Sequence, residues 1–260
     1  MWRVSYLASV VLAGGLVHQI ALVPLPRPQE GTVENGIYTN KYFHLSYPIP
    51  PGWTGRPGGP KPSFSANYVL TTLVPADGPT GTVMIAAQDA FFAPKTSRDV
   101  MPAARDLSQA MAALPGMTID RQPEETTVAG RPFARVDFSG VGLFRSTWIT
   151  QVRCHLVHFN LMANTPEQLD SLRLSLNKIV YAGDKAAESP DPTCIDNYAK
   201  AENIVSKVDP ELAAPTFTPI PLRIIVSPDG SVKHVHVIRS SPAQRDNIEK
   251  ALAQWKFSRV

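Results

Sequence analysis

The chain has 260 residues, enough for one large domain or two small ones with a hydrophobic core. Hydrophobic residues make up 43% and charged residues 18%, which is ordinary for a folded protein and excludes a wholly disordered chain. The net charge is only +3, and Lys and Arg are scattered rather than clustered, so the composition gives no electrostatic footprint for nucleic acid.

The N-terminus begins with an apolar segment. Arg3 is followed by a run from Val4 to Val23 that leads into a proline-containing stretch. This pattern is typical of a signal peptide, and a run of about 20 apolar residues also suffices to span a bilayer. We therefore predict a signal peptide or membrane anchor at residues 1–23 and a linker at 24–35. The expected location is the periplasm, the exterior, or the inner membrane with the chain facing the periplasm.

Residues 36–183 are predicted to form an α+β module built mainly from antiparallel strands. Phe43, Leu45 and Tyr47 alternate with polar residues, which is the period of a half-buried strand. Further strands are expected at 66–74, 81–92, 126–128, 131–140 and 146–163. Helices are expected at 98–114 and after Thr165, which is followed by Pro166 at the first helical position.

Residues 184–214 are predicted to be a linker with one helix, at 194–208. A small β-β-α module follows at 215–260. Its predicted elements are a strand at 222–226, a Ser-Pro-Asp-Gly turn, a returning strand at 232–238 and a helix capped by Ser240 or Ser241. Apolar residues of this helix recur on one side, at Ile248, Ala251, Leu252 and Trp255.

The C-terminal module resembles the TonB C-terminal domain family. The matching motifs are LRIIVSPDGSV at 222–232, VIRSS at 237–241 and ALAQWKF at 251–257. The resemblance implies a periplasmic module that binds an outer-membrane partner by adding a strand to its sheet edge, with a link to transport across the envelope. Three features depart from the family: Pro242 replaces the usual Gly, the final strand is missing before Val260, and a folded module replaces the long spacer.

The missing final strand predicts an unpaired sheet edge, which a partner or a second copy of the chain would cover. We predict partner-binding residues on the two strands of the C-terminal module, at Ile224, Val226, Val235 and Val237. The expected partner is an envelope or outer-membrane protein bound by strand addition, or another copy of the chain.

The first module resembles the PsbP-like family more weakly. The supporting residues are YFHLSYP at 42–48, which lead into Pro51-Gly52-Trp53, and the helix expected at 165–179. The resemblance covers about residues 36–182. It implies a sandwich-type antiparallel module with a binding or accessory role rather than catalysis.

Two cysteines, Cys154 and Cys194, are present. In an oxidising compartment they allow one intramolecular disulfide, which would add about 3–4 kcal/mol of stability in the chain-entropy model. Two unpaired buried thiols are the alternative. The sequence leaves both open, because it does not show whether the two Cα atoms approach each other.

The sequence predicts no enzyme, no catalytic residue, no cofactor and no metal site. No G-x-S-x-G motif is present. His234 and His236 share one face of a strand but lack further ligands, so a solvated sheet face is the expected setting. Two other functions stay open: a small-ligand carrier with an apolar pocket in the first module, and an envelope hydrolase whose histidine and carboxylate meet in a cleft of that module.

Overall fold

A computed structural model of the chain describes residues 26–78, 80–181, 193–195, 198–211 and 219–259. The predicted leader at residues 1–23 lies outside this part. The fold is α+β with antiparallel sheets, as predicted. Among the described residues, no helix is long and apolar enough to cross a membrane.

The first part of the chain contains eleven described strands and two α-helices. The strands are β1 Gly31–Glu34, β2 Ile37–Asn40, β3 Leu45–Pro48, β4 Trp53–Pro57, β5 Asn67–Pro75, β6 Gly81–Asp89, β7 Met117–Val128, β8 Arg131–Gly140, β9 Leu143–Val152, β10 His155–Ala163 and β11 Val180–Tyr181. The helices are α1 Val100–Ala112 and α2 Pro166–Leu176, with short 3-10 turns at Ala90–Phe92 and Lys95–Ser97.

A seven-stranded sheet in the order β4-β5-β6-β10-β9-β8-β7 forms the centre of the fold. A second sheet, β1-β2-β3-β11, and helix α2 share one core with it, in which Tyr47, Phe43 and Phe159 are fully buried. Helix α1 packs through Ala104 on Ile149. Because side chains alternate along a strand, Ile149 lies on the face opposite to its neighbour Trp148 in the main core, so the sheet is covered on both sides.

The predicted linker at 24–35 is wrong in its second half, because β1 lies there and pairs with β2. Asn35 and Gly36 connect the two strands, and both have positive φ, at 51° and 72°. An Asn-Gly pair with positive φ at both positions forms the two-residue turn whose twist suits a β-hairpin. The first module therefore begins before Gly36.

The single strand expected at 146–163 is two strands, β9 and β10, joined by Arg153 and Cys154. Both turn residues have positive φ, at 48° and 62°. This backbone conformation is costly for residues other than glycine, so the surroundings must stabilise it. The Arg153 guanidinium donates to the carbonyl oxygen of Tyr42 at 3.1 Å and lies over the Tyr42 ring.

The helix expected at 194–208 is also wrong. In the described residues of this segment there is a 3-10 turn at Ala201–Asn203, followed by strand β12 at Ile204–Ser206. Strand β12 pairs with a short last strand, β15, at Lys256–Phe257. Adjacent β-branched residues, Ile204 and Val205, favour the extended backbone that this pairing requires.

The C-terminal module has the predicted element order. Strands β13 Leu222–Val226 and β14 Val232–Val237 form an antiparallel hairpin, and helix α3 runs from Pro242 to Leu252. The Ser241 hydroxyl caps α3 by accepting from the backbone N–H of Gln244. Ile248 and Leu252 of the helix pack on Val235 and Val237 of the hairpin.

Candidate functional site

The hairpin β13–β14 has two buried faces of different chemistry. Leu222, Ile224, Val235 and Val237 form an apolar face that packs under α3. The opposite face contains Arg223 paired across the hairpin with His236. Both residues are buried, at 9% and 8% exposure, because this face lies against the first module. The solvated face predicted for His234 and His236 is therefore wrong: His236 is buried and His234 half-buried.

A buried ion pair joins the hairpin to the central sheet. The Arg223 Nε donates to the Asp89 carboxylate at 2.7 Å, and its Nη2 contacts the second carboxylate oxygen. Asp89 is 1% exposed at the end of β6 and also accepts from the backbone N–H of Phe91 at 3.0 Å. Arg223 further donates to the carbonyl oxygen of Cys154 at 3.2 Å. The geometry compensates part of the desolvation cost of both charges.

Two neutral histidines flank this ion pair. The His155 ring is fully buried among Tyr42, Phe43 and Tyr68, with ring centroids 5.2–5.9 Å apart. Burial lowers the pKa of His155 to about 3, with the positive charge of Arg223 as the second cause. Burial likewise lowers the pKa of His236 to about 4, and the His236 ring stacks on Tyr68 at 6.2 Å.

We call the contact of Asp89, Arg223, His155 and His236 between the hairpin and the central sheet the buried junction. Its histidine His155 and its carboxylate Asp89 are enclosed. His155 Nε2 lies 3.8 Å from Asp89 Oδ2, and its Nδ1 is 2.8 Å from the carbonyl oxygen of Arg153. Both side chains are 1% exposed, so the pair lines no open cleft. Both residues belong to the central sheet, and Asp89 holds the hairpin through Arg223. In the described ranges no cluster of three or more His, Cys, Asp or Glu residues is placed to hold a metal ion.

The two cysteines form a disulfide beside the ion pair. Cys154 and Cys194 are bonded, with their Cα atoms 5.8 Å apart. The Cys154 carbonyl accepts from both Arg223 and the backbone N–H of Ala90. The disulfide thus ties the segment at 193–195 to the turn that supports Arg223.

Reduction of this disulfide will lower the free energy of unfolding by about 3–4 kcal/mol, because an open chain gains the entropy that the cross-link removes. Urea unfolding with and without a reducing agent measures the difference. The double variant C154A/C194A is the control, and its stability should not depend on the reducing agent. Equal stability of the oxidised and reduced wild-type chain would contradict the prediction.

The outer edge of β13 is unpaired within the described part of the chain, where β14 is its one neighbour. The backbone N–H of Ile238 donates to the carbonyl of Pro221, so these two residues form a hydrogen-bonded pair. Along an antiparallel ladder, hydrogen-bonded pairs alternate with pairs whose backbone groups point away from each other. Arg223 and Ile225 therefore bond to β14, whereas the backbone groups of Leu222 and Ile224 point away from it. Strand β13 thus offers donors and acceptors to a further strand.

The four predicted partner-binding residues lie on this hairpin, in three settings. Ile224 is on the open edge of β13, and Val226 follows a bulge at the end of that strand. Val235 and Val237 are on β14, and their side chains are buried under α3. Only Ile224 and Val226 thus belong to the edge described above.

An apolar groove of about 470 Å³ lies at the start of β13. It is lined by Phe64, Phe92 and the segment from Pro219 to Leu222. Phe64 is 53% exposed, which is unusual for a large aromatic side chain. The groove places apolar surface next to the open edge, a feature that residue-by-residue sequence patterns did not reveal.

The fold and the hairpin define an α+β protein with a C-terminal β-β-α unit held on an antiparallel sheet. No family model matches the chain, and no curated protein matches it. The similar solved structures include the cyanobacterial PsbP protein of Synechocystis sp., at 14% identity and a TM-score of 0.42, over 58% of this chain and 96% of that one.

Two further solved structures are similar at low identity. One is from Bacteroides thetaiotaomicron, at 11% identity and a TM-score of 0.36, over 65% of this chain and 55% of that one. The other is a protein of unknown function from Pseudomonas aeruginosa, at 15% identity and a TM-score of 0.33, over 63% and 99%. The TonB resemblance of residues 215–260 rests on the sequence motifs.

Proposed function

We propose that the chain is a non-enzymatic adaptor of the bacterial envelope that binds a partner protein by strand addition to the edge of β13. The observation that carries this proposal is the outward direction of the backbone groups of Leu222 and Ile224 on a strand with no second described neighbour. In strand addition, such main-chain groups give affinity and adjacent pockets give specificity. The groove beside Phe64 is such a pocket.

The buried junction supports this function because it makes the edge rigid. The Asp89–Arg223 ion pair and the stacking of His236 on Tyr68 fix the hairpin on a sheet of seven strands. A preorganised edge loses less conformational entropy on binding than a mobile one. The sequence motifs shared with the TonB C-terminal family point to the same mode of binding.

The disulfide supports an oxidising compartment, such as the periplasm, where such bonds form and persist. The enclosure of His155 and Asp89 supports binding rather than catalysis, since a general base must reach its substrate. The partner expected from these features is an envelope or outer-membrane protein that presents an extended segment, or a second copy of the chain.

Replacing Ile224 with Pro will abolish partner capture from solubilised bacterial envelopes, because Pro removes the outward N–H and places a ring at the edge. The N–H that is lost is not used inside the hairpin, so the fold should persist. Capture is measured with the tagged full chain and quantitative mass spectrometry, and folding is checked by circular dichroism.

The matched control is Ile224→Ala, which loses similar packing under α3 but keeps the N–H. It should capture the same partner as the wild type. A partner that I224P retains at the wild-type level would contradict strand addition at β13. A partner lost equally with both variants would also contradict it, because the side chain rather than the main chain would then carry the binding.

A further inference from the structure

A second cavity, of about 460 Å³, lies on the first module between α2 and the proline-rich loop at 48–51. One wall is a stripe of α2 and its end, from Gln168 through Leu172 to Lys178, at the spacing of a single helix face. The opposite wall contains the loop, Trp53 and Pro75. Leu172, which lines the groove, is buried.

The groove has walls of mixed chemistry and one cation: the proline-rich loop and Trp53 are apolar, whereas α2 contributes polar side chains. Lys178 is the one charged residue among those that line it, and it is exposed. Within the described part of the chain the Lys178 ammonium has no ion-pair partner, whereas the nearby Arg173 is paired with Asp170 and Asp137. The Lys178 ammonium is therefore available to a ligand in the groove.

The length of the groove limits the shape of a ligand. Gln168 lies in the first turn of α2 and Lys178 lies just beyond the end of that helix, so the wall between them is on the order of 15 Å long. The Gln168 side chain also has no partner among the described residues, whereas Ser175 at the floor is bonded to Tyr47. A groove of this length with one apolar wall and a cation at one end suits an extended chain with a negative head.

We propose that this groove binds a single-chain anionic amphiphile, with its carboxylate or other acidic head at Lys178 and its alkyl chain between Leu172 and Trp53. The apolar chain leaves water on binding, which supplies most of the affinity. The ion pair with Lys178 selects the sign of the head group. This site is separate from the β13 edge, so either proposal can fail alone.

Calorimetric titration of the full chain with dodecanoate, dodecanol and dodecyltrimethylammonium tests the proposal, with the two ionic probes below their critical micelle concentrations and dodecanol below its solubility limit. The three probes share one tail and differ in head charge. We expect dodecanoate to bind most tightly. Absence of dodecanoate binding, or equal or tighter binding of either other probe, would overturn the proposal.

Two variants test the assigned groups. Lys178→Met should weaken dodecanoate binding by roughly threefold, the scale of a solvent-accessible ion pair, and leave dodecanol unchanged. Ser171→Phe, at an exposed position on the groove wall, should fill the groove and weaken the binding of dodecanoate and of dodecanol by about tenfold or more. Lys95→Met, at an exposed lysine outside the groove, is the control. Unchanged affinities in K178M and S171F would overturn the site.

Discussion

Replacing Arg223 with Met will lower the free energy of unfolding by about 3–5 kcal/mol, the usual cost of leaving one member of a buried ion pair without its partner. Asp89 is 1% exposed, so water cannot replace the lost guanidinium without opening the junction. The same change removes the donor to the Cys154 carbonyl. Urea unfolding followed by circular dichroism measures the loss.

Two variants separate this effect from simple loss of a side chain. Arg245→Met removes an arginine whose ion pair with Asp246 is partly exposed, and it should cost less than about 1 kcal/mol. The double variant D89N/R223M removes both charges and keeps an acceptor for the N–H of Phe91, so it should recover much of the stability that R223M loses. A loss below about 1 kcal/mol in R223M would show that the ion pair does not fix the hairpin.

The free energy of unfolding will decrease as the pH falls below about 6.5, and His236 contributes to this decrease down to about pH 4. Its pKa is about 4 in the folded chain and about 6.5 in the unfolded chain, so between these values only the unfolded state binds the proton. Each such histidine therefore lowers the free energy of unfolding by about 1.4 kcal/mol for each unit by which the pH falls in this range. His155 acts in the same direction, down to about pH 3.

His236→Phe isolates the contribution of one histidine, because a phenyl ring can still stack on Tyr68 and does not titrate. The free energy of unfolding, measured at intervals from pH 8 to pH 4.5, should depend on pH less steeply in the variant, by about 1.4 kcal/mol per pH unit below pH 6. At pH 8 the histidine is neutral in both states, so the remaining difference reports packing. Parallel curves for variant and wild type would contradict the assignment.

The local elements of the C-terminal module could be predicted because short-range chemistry determines them. The Asp229-Gly230 turn, the alternation in β13 and the Ser241 cap each depend on neighbouring residues. The Asn35-Gly36 pair is equally a local signal for a hairpin, whereas the prolines around it favour the linker predicted at 24–35. Here the turn residues were the better signal.

The buried junction could not be predicted from local patterns. Asp89 and Arg223 are 134 residues apart, and each looks like an ordinary surface charge in its own strand. The alternation of polar and apolar residues in β13–β14 is that of a hairpin with one solvated face. The polar face is buried because the first module packs against it, and the local pattern does not contain that contact. The turn at Arg153 and Cys154 was missed for a similar reason, since tertiary contacts rather than Gly or Asn stabilise it.

Residue-level amide exchange along β13, followed by NMR with and without the partner captured from the envelope, tests the proposed mode of binding most directly. In the free chain, Arg223 and Ile225 should exchange slowly and Leu222 and Ile224 rapidly, because only the first two N–H groups bond to β14. On binding, Leu222 and Ile224 should become protected while the other two change little. Protection elsewhere in the chain with unchanged exchange at Leu222 and Ile224 would contradict strand addition.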